Sequence, residues 1–212
     1  MTVIDLCGRS GIPVSLADGT HLVLRPIVPD DKSKLRQGMG VLSAAARRHR
    51  FFSSKESLDE PTLIYLTEID YRSHVAWVAV DVDRLGQPVV AVARYIALGA
   101  GGAPGGATGA VGAEVAFVVG DDYQRHGIAT MLLELLTIVA RDNGIEQFHA
   151  RVLDDNVAMR RILTRAGGQF VVDEAGVLRT AMDLPPLTGR FDSDAVCSLA
   201  RAAADGAYRR SA

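Results

Sequence analysis

Residues 113–141 read AEVAFVVGDDYQRHGIATMLLELLTIVAR, and they contain a strand, a turn and a helix with no linker between them. The first part is rich in valine, as buried strands are. After the turn, apolar residues recur at helical spacing, at Ile128, Met131, Leu132, Leu135, Leu136 and Val139. The first helical turn, around Gly127 and Ala129, has no bulky side chain over its unpaired backbone N–H groups. The stretch therefore predicts an anion site at the start of a helix.

The turn sequence QRHGIA fits the pattern (Gln/Arg)-x-x-Gly-x-(Gly/Ala). This pattern resembles the pyrophosphate-binding loop of the GNAT acetyltransferase superfamily. The resemblance implies that the backbone amides of the loop cradle the diphosphate of acetyl-CoA, the acyl donor of that superfamily. The residues concerned are Gln124, Arg125, His126, Gly127, Ile128 and Ala129. A plain turn is the alternative, because glycine-containing turns at helix starts are common.

The composition is that of an ordinary globular domain. The chain has 212 residues, of which 48% are hydrophobic and 23% charged, and this is enough for one sizeable core. A formal net charge of -2 argues against a general nucleic-acid-binding surface, which would make the domain basic. No apolar run reaches the roughly 18 residues of a membrane helix, and no signal-peptide pattern is present. We therefore expect a cytoplasmic protein with no nucleic-acid or membrane partner. Its oligomeric state stays open.

Strands and helices are predicted in mixed order along the chain. Residues 1–20 are rich in turn formers and predict a loose segment. Strands are predicted at 22–25, 75–81, 89–98, 113–119 and 145–153, with a hairpin over 170–184. Helices are predicted at 32–42, with Asp30 or Asp31 as cap, and at 58–69, 128–142, 154–168 and 193–207. This order argues for an α/β or α+β sheet with helices on its faces.

The resemblance to the GNAT superfamily implies a more specific architecture. The implied fold is α/β (α+β), with a mixed central sheet that is splayed at the acetyl-CoA site and has helices on both faces. We expect an N-terminal segment over 1–20, the acetyltransferase domain over 21–186, and a C-terminal tail with a short helix over 187–212. Larger members carry a fused regulatory domain, and we do not expect one in this chain.

Two segments allow both a structural and a functional interpretation. The basic cluster Arg47–Arg50, followed by Phe51 and Phe52, is either a substrate or CoA contact or a solvated helix end with its aromatic rings in the core. Residues 99–112 contain seven glycines and no charge. They predict a long mobile loop between two antiparallel strands, either a surface insertion or a lid over the substrate cleft.

Acetyl transfer to an amine requires a base. A lysine amine, with a pKa of about 10.4, is almost wholly protonated at neutral pH, so its proton must be removed. A carboxylate on the strand beside the thioester is a natural base. Glu114 is the only acidic residue in GAEVAFVV and shares a strand face with Ala116 and Val118. We therefore expect Glu114 to be catalytic; an edge-strand charge facing solvent is the alternative.

The position of Glu114 resembles that of a glutamate in bacterial protein lysine acetyltransferases. It stands ten residues before Gln124, with Asp-Asp-Tyr directly ahead of that glutamine. Three further stretches resemble the catalytic domain of the same enzymes: RFF at 50–52, LTEIDY at 66–71 and ARY at 93–95. The resemblance implies acetylation of lysine side chains in proteins, for example acyl-CoA synthetases, by direct attack of the amine on acetyl-CoA.

The same resemblance completes the expected donor site. The backbone of Phe117, Val118 and Val119 is expected to bond the pantetheine amides, as an added strand pairs with a sheet edge. Asn156 is expected near the CoA arm, and it also suits the N-cap of the following helix. At position 163, where many GNAT enzymes have a tyrosine that protonates the leaving thiolate, this chain has leucine. The sequence therefore offers no matched general acid.

Other functions stay open at this stage. Acetylation of a small amine is one alternative, and a catalytically silent acyl-CoA-binding module is another. The missing tyrosine favours the silent module, whereas Glu114 argues against it. No pair of the five histidines has the spacing of zinc ligands, so we expect no metal.

Overall fold

The computed structural model describes residues 11–53, 56–98 and 112–205. Within these ranges it has one eight-stranded sheet with helices on both faces. The strands are β1 (Ile12–Ser15), β2 (His21–Pro26), β3 (His74–Asp81), β4 (Val89–Ala97), β5 (Gly112–Val119), β6 (Gln147–Leu153), β7 (Gln169–Glu174) and β8 (Val177–Asp183). The helices are α1 (Lys32–Val41), α2 (Ala44–Phe51), α3 (Glu60–Thr67), α4 (Ile128–Asp142), α5 (Val157–Arg165) and α6 (Ser193–Ala204).

The sheet is mixed, as expected. Its strand order is β1-β2-β3-β4-β5-β6-β8-β7. Adjacent strands are antiparallel except β5 and β6, which run parallel and are paired over only three residues. Beyond those residues the two strands separate. The predicted fold class, a mixed sheet splayed at its centre with helices on both faces, is therefore confirmed.

Two apolar cores lie on opposite faces of the sheet. On one face, α4 and α6 pack over the central strands, and the largest buried side chains there are Trp77, Tyr95 and Phe148. On the other face, α1 and α3 cover β3 and β4. Because successive side chains point to opposite faces, a strand that serves two cores must be apolar at nearly every position. β3 meets this requirement, since every residue after His74 is buried.

Helix α4 is the helix predicted after the turn, and it is almost entirely enclosed. Twelve of its 15 residues are buried, because it lies between the sheet and α6. Its buried carboxylate, Glu134, accepts hydrogen bonds from Thr188 Oγ1 at 2.6 Å and Arg190 N at 3.2 Å. The helix ends where expected, and Gly144 reverses the chain with a φ of 74°.

The N-terminal segment differs from expectation. The sequence predicts a loose segment over 1–20, but Ile12–Ser15 form β1 and pair antiparallel with β2. Ile12 is fully buried in the core. Asp18 and Gly19 shape the hairpin between the two strands instead of ending all regular structure. Residues 1–10 lie outside the described part of the chain.

The basic cluster forms a separate helix, α2. Ser43 caps it by accepting a hydrogen bond from Ala46 N at 3.1 Å. Phe51 packs on the core under α1, but Phe52 is 40% exposed and lies against the guanidinium of Arg151, 5.6 Å from its ring centre. The expectation that both aromatic rings enter the core is therefore wrong for Phe52. Its left-handed backbone, with a φ of 56°, turns the chain away after α2.

The later elements agree with the sequence pattern. The hairpin of β7 and β8 turns at Ala175 and Gly176, and Asp192 caps α6 by accepting from Ala195 N. The predicted antiparallel pairing of β4 with β5 is confirmed. The glycine-rich loop between them lies, except for Gly112, outside the described residues.

A buried ion pair joins β2 to the start of α1. Arg25 donates from Nη1 and Nη2 to the two carboxylate oxygens of Asp31, each at 2.7 Å. Arg25 is 4% exposed and Asp31 is fully buried. The sequence predicts a side-chain cap from Asp30 or Asp31. Asp31 is the N-cap residue of α1, but it makes no cap bond there and accepts from Arg25 and Val28 N instead.

Replacing Asp31 with asparagine should lower the free energy of unfolding by about 3–5 kcal/mol, because Arg25 would stay buried without a compensating charge. Chemical denaturation followed by circular dichroism measures this loss. Asp30→Asn is the matched control; this neighbouring carboxylate is exposed, so its loss should change stability by only about 0.5 kcal/mol. Equal effects of the two variants would contradict a structural role for the buried pair.

Candidate active site

The central strands diverge at the point where their pairing ends. β5 and β6 are paired over Gly112–Glu114 and Gln147–His149. From there to Val119, β5 has β4 on one side and no paired strand on the other. An unpaired strand edge presents backbone donors and acceptors that can bind an extended ligand.

The hydrogen bonds to β4 reveal which residues face this open edge. Gly120 N donates to Val90 O, and Leu98 N donates to Gly112 O. In an antiparallel pair, alternate residues bond to the same neighbour, so the even-numbered residues of β5 are bonded to β4. The odd-numbered residues therefore direct their N–H and C=O groups toward the gap.

Because of this alternation, only two of the three residues expected to bond pantetheine direct their backbone groups toward the gap. Phe117 and Val119 present their backbone groups to the gap, and the carbonyl of Val119 accepts a hydrogen bond from Gln124 Nε2 at 3.2 Å. Val118 directs its backbone to β4, and its side chain packs with the core under α1.

A cavity of about 250 Å³ occupies the gap between β5 and β6, and we call it the gap cavity. Its two sides are Glu114–Phe117 of β5 and Ala150–Val152 of β6. Residues 49–52 close it on one face of the sheet. On the other face it is closed by residues at the start of and within α5, namely Asn156, Met159 and Leu163.

A larger cavity, of about 410 Å³, lies between α1 and β4, and we call it the α1 cavity. Arg50 and Phe51 line both cavities, so α2 contributes a wall that the two share. Each of the three stretches that resemble protein lysine acetyltransferases contributes to the α1 cavity, through Arg50, Leu66 and Arg94. These stretches are far apart in sequence and meet only in the folded chain.

The turn between β5 and α4 leaves the helix start uncapped. Arg125 and Gly127 have positive φ angles of 68° and 82°, which reverse the chain into the helix. α4 begins at Ile128 with no side-chain cap and no acidic residue in its first turn. Its first N–H groups are thus available to an anion or to water. His126 Nδ1 lies 3.5 Å from a carboxylate oxygen of Asp18.

Two contacts anchor this turn to the rest of the fold. Tyr123 donates its hydroxyl to the buried carboxylate of Asp81 at 2.5 Å. Burial and this bond raise the pKa of Tyr123 to about 12. Asp121 accepts two hydrogen bonds from Ser43, from its backbone N at 2.8 Å and its Oγ at 2.6 Å. The turn is therefore tied both to the end of β3 and to the start of α2.

Glu114 lies at the edge of the gap cavity and is half-buried. It is paired with Ile96 of β4, and its side chain shares the face of Arg94, which is paired with Ala116. The Arg50 guanidinium is close enough to interact with it: burial lowers the pKa of Arg50, and the attraction of Glu114 opposes that shift.

His149 is a neighbour of Glu114 that the sequence analysis missed. It is the residue of β6 paired with Glu114 in the parallel register. Its Nε2 atom lies 3.0 Å from the point that a Cβ on Gly112 would occupy. The ring therefore lies close to Gly112, within the short segment where β5 and β6 are paired. Only the register between β5 and β6 reveals this proximity, because the two residues are 35 positions apart.

Asn156 and Leu163 lie together at the α5 side of the gap cavity. The Asn156 carboxamide oxygen accepts from Met159 N at 3.1 Å, so its expected role as a helix cap is confirmed. Leu163 is fully buried and belongs to the core. A tyrosine hydroxyl is therefore absent from this wall of the cavity.

Arg94 is a buried arginine on the same face of the sheet as Glu114, two residues from the residue of β4 that pairs with Glu114. Arg94 is 4% exposed, and its Nη1 donates to Leu66 O at 3.3 Å and to His74 Nε2 at 2.9 Å. Burial and repulsion from Arg50 lower the pKa of Arg94 to about 9, so it is a cation at neutral pH. Burial and the Arg94 charge lower the pKa of His74 to about 4, so His74 is neutral and accepts the bond.

The described ranges hold neither a cluster of metal ligands nor a helix that could span a membrane. Across residues 11–53, 56–98 and 112–205, no three His, Cys, Asp or Glu side chains are grouped as metal ligands. None of the helices described is both long and apolar enough to cross a membrane.

Comparison with known proteins places this architecture in a family. The sequence profile of the acetyltransferase (GNAT) domain matches residues 21–169. The chain belongs to the GNAT acetyltransferase family. This membership confirms the enzyme class expected from the sequence, an acyltransferase, and the expected acyl donor, acetyl-CoA.

Individual relatives agree with the assignment to the GNAT family. The chain is 40% identical over 179 residues to acetyltransferase Pat of Mycolicibacterium smegmatis, covering 83% of this chain and 50% of that protein. The crystal structure of the GNAT domain of S. lividans PAT superposes with a TM-score of 0.73 at 35% identity, covering 81% of this chain and 96% of that one. A cAMP-binding acyltransferase from Mycobacterium smegmatis gives a TM-score of 0.65 at 33% identity, covering 94% of this chain and 56% of that one. The chain thus spans about half the length of the first of these relatives.

Gly127→Ala should weaken acetyl-CoA binding by about tenfold, because a Cβ at this positive φ disturbs the start of α4. Isothermal titration calorimetry measures the dissociation constant. Gly144→Ala is the matched control. It has a φ of 74° at the other end of α4, and in both positions an added Cβ would meet no atom within 4 Å. The control should lose similar stability and bind acetyl-CoA normally; equal binding losses would contradict the assignment.

The lowered pKa of His74 predicts a pH dependence of stability. The unfolded chain takes up this proton near pH 6.5 and the folded chain only near pH 4, so stability should fall as the pH falls through this window, by up to about 3 kcal/mol. His74→Gln, which keeps an acceptor for Arg94, should remove most of that fall. Denaturant unfolding at a series of pH values measures both curves. Curves that stay parallel from pH 7 to pH 4 would contradict a buried neutral His74.

Proposed function

We propose that the chain transfers the acetyl group of acetyl-CoA to lysine side chains of another protein, with Glu114 as general base. The observation that carries this proposal is the position of Glu114, half-buried at the edge of the gap cavity and on the same face as the α1 cavity. A carboxylate there can meet an amine that arrives from one face while the donor occupies the gap.

The donor is held, in this proposal, by backbone groups. The N–H groups of Gln124 to Ala129 bind the diphosphate, and Phe117 and Val119 bond the pantetheine arm along the open edge of β5. Support comes from the uncapped start of α4 and from the odd-numbered backbone groups that face the gap. Asn156, already engaged as a helix cap, lines the same cavity and contacts the arm.

Proton transfer follows from the positions of the charged groups. Glu114 takes the proton of the acceptor ammonium, which leaves a neutral amine as nucleophile. Acetyl-CoA supplies the acetyl group as a thioester; an N–C bond forms and the C–S bond breaks. The nitrogen then loses its second proton, and because Leu163 offers none, water relays this proton to the departing thiolate.

A protein acceptor is favoured by the three stretches that resemble bacterial protein lysine acetyltransferases. Arg50, Leu66 and Arg94, one residue from each stretch, line the α1 cavity on the acceptor side of Glu114. The similarity to acetyltransferase Pat of Mycolicibacterium smegmatis supports the same acyltransferase class.

The direct test is acetyl transfer from acetyl-CoA to a panel of proteins, with acyl-CoA synthetases first, beside a panel of small amines. Mass spectrometry of the products locates the acetyl group. Acetyl-lysine on a protein supports the proposal. Products found only among the small amines would contradict the acceptor class.

Glu114→Gln should lower kcat by about 10²–10⁴-fold, because an amide cannot accept the proton of the ammonium. Its affinity for acetyl-CoA should be unchanged, since the donor contacts proposed here are backbone groups. Steady-state kinetics and calorimetry measure the two quantities separately. Glu146→Gln, an exposed glutamate ahead of β6, is the control and should keep the full rate. An unchanged kcat in Glu114→Gln would remove this residue from the mechanism.

A further inference from the structure

The α1 cavity combines apolar walls with a buried cation. Leu35 and Met39 of α1 face Val92 and Val118 of the sheet across it. Arg94 also lines the cavity, although its side chain is almost wholly removed from solvent. Such a space suits an organic group with an aliphatic part and one negative charge.

Arg94 has no carboxylate partner among the described residues. Its hydrogen bonds go to a backbone carbonyl and a neutral histidine ring, and the other cation close to it, Arg50, repels it. Arg50 also forms no ion pair with a carboxylate in the described ranges, although it feels the charge of Glu114 at longer range. A buried guanidinium without a counter-charge is costly, typically by several kcal/mol. A bound carboxylate would remove that cost.

Three other charged residues that line the α1 cavity have partners of their own. Lys34 donates to Gln87 O at 2.6 Å, and Arg84 Nε lies 3.6 Å from an Asp81 carboxylate oxygen. The carboxylate of Asp121 is engaged by Ser43.

The two acidic residues that line the cavity are Asp121 and Asp122, and they directly follow Gly120. Gly120 N donates to Val90 O, so the acidic residues lie near the Val90 end of β4. Arg94 is four residues after Val90 on β4, which corresponds to about 13 Å at 3.3 Å per residue. The acidic end of the α1 cavity and its arginine end are therefore well separated.

The strand register places Arg94 next to the proposed base. Arg94 is paired with Ala116 and Ile96 with Glu114, so the two rows are two residues apart, or about 7 Å. A ligand that brings an amine to Glu114 can thus bring a second group, a few bonds away, to Arg94. Arg50 borders both cavities and interacts electrostatically with both Glu114 and Arg94.

We propose that Arg94, with Arg50, binds a carboxylate of the acceptor, so that the chain selects lysines that have an aspartate or glutamate as a close neighbour. The acidic side chain enters the α1 cavity, its methylene groups contact the apolar wall, and its carboxylate accepts hydrogen bonds from Arg94. This proposal rests on the proposed function, since it assigns the acceptor class of the same site.

The test compares lysine peptides that differ only by a glutamate or a glutamine beside the acceptor lysine. With the wild-type enzyme, kcat/KM should be about tenfold higher for the glutamate peptides, because a hydrogen bond to a charged group is stronger than one to an amide. In Arg94→Gln this preference should disappear, and in Arg94→Lys it should be reduced but retained. Arg36→Gln, on the exposed side of α1, is the control and should keep the full preference.

A second measurement is independent of turnover and of the variants. Saturation-transfer NMR should detect binding of pentanoate, and not of the uncharged pentanamide, to the wild-type chain. If peptides are acetylated without a glutamate preference, the carboxylate proposal fails and the proposed function stands. If no peptide is acetylated, the proposed function fails, and pentanoate binding alone decides whether the cavity is a carboxylate site. Equal binding of pentanoate and pentanamide would overturn it.

The donor is the other possible source of a carboxylate. The transfer rates from succinyl-CoA, whose acyl group carries a carboxylate, and from butyryl-CoA, whose acyl group does not, distinguish the donor from the acceptor as its source. Similar rates support the assignment to the acceptor. A strong preference for succinyl-CoA that is lost in Arg94→Gln would overturn that assignment and give the carboxylate to the acyl group.

Discussion

The short parallel pairing of β5 with β6 is the constraint on which the site depends. Three paired residues hold the strands together at one end, and beyond them each strand follows a different neighbour, β4 in one case and β8 in the other. A strand edge without a partner is normally a liability, because its backbone groups are unsatisfied. Here the edge borders a cavity wide enough for a ligand that can satisfy those groups.

The same divergence explains how one site can receive two molecules. The gap cavity reaches both faces of the sheet, closed by α2 on one side and by α5 on the other. The α1 cavity opens on the α2 side only, and Arg50 and Phe51 separate the two spaces. Glu114 lies at their junction because the even-numbered residues of β5 share the face of α1 and α2. Donor and acceptor can therefore approach the carboxylate from different directions.

Charge is distributed unevenly around this junction. The ion pair of Arg25 with Asp31 is buried and complete, and it serves to join β2 to α1. Arg94 is equally buried, yet it contacts only neutral groups among the described residues. The contrast indicates different roles, since a structural arginine is normally stabilised by a carboxylate of its own chain. A buried arginine that lines a cavity without such a carboxylate is better suited to binding an anionic ligand.

Much of the fold could be predicted because its signals are local. Helical spacing located α4, and turn residues located its end and the hairpin of β7 with β8. Local signals failed where two interpretations were compatible with the same residues. Asp18 and Gly19 made the first segment look irregular, although they form a hairpin that pairs β1. Asp31 looked like a helix cap, although its carboxylate is taken by Arg25.

The sequence by itself determined the order of elements, the resemblance to the GNAT family and the candidates Glu114 and Gln124 to Ala129, because each of these is encoded in a few consecutive residues. Only the tertiary structure decided which residues surround Glu114. His149 is placed beside it by the register of the parallel pair β5 and β6, Arg94 by the antiparallel register of β4 with β5, and Arg50 by the packing of α2 against the sheet. Contacts between segments so far apart in sequence depend on strand pairing and on side-chain direction, and neither quantity can be read from residue spacing along the chain.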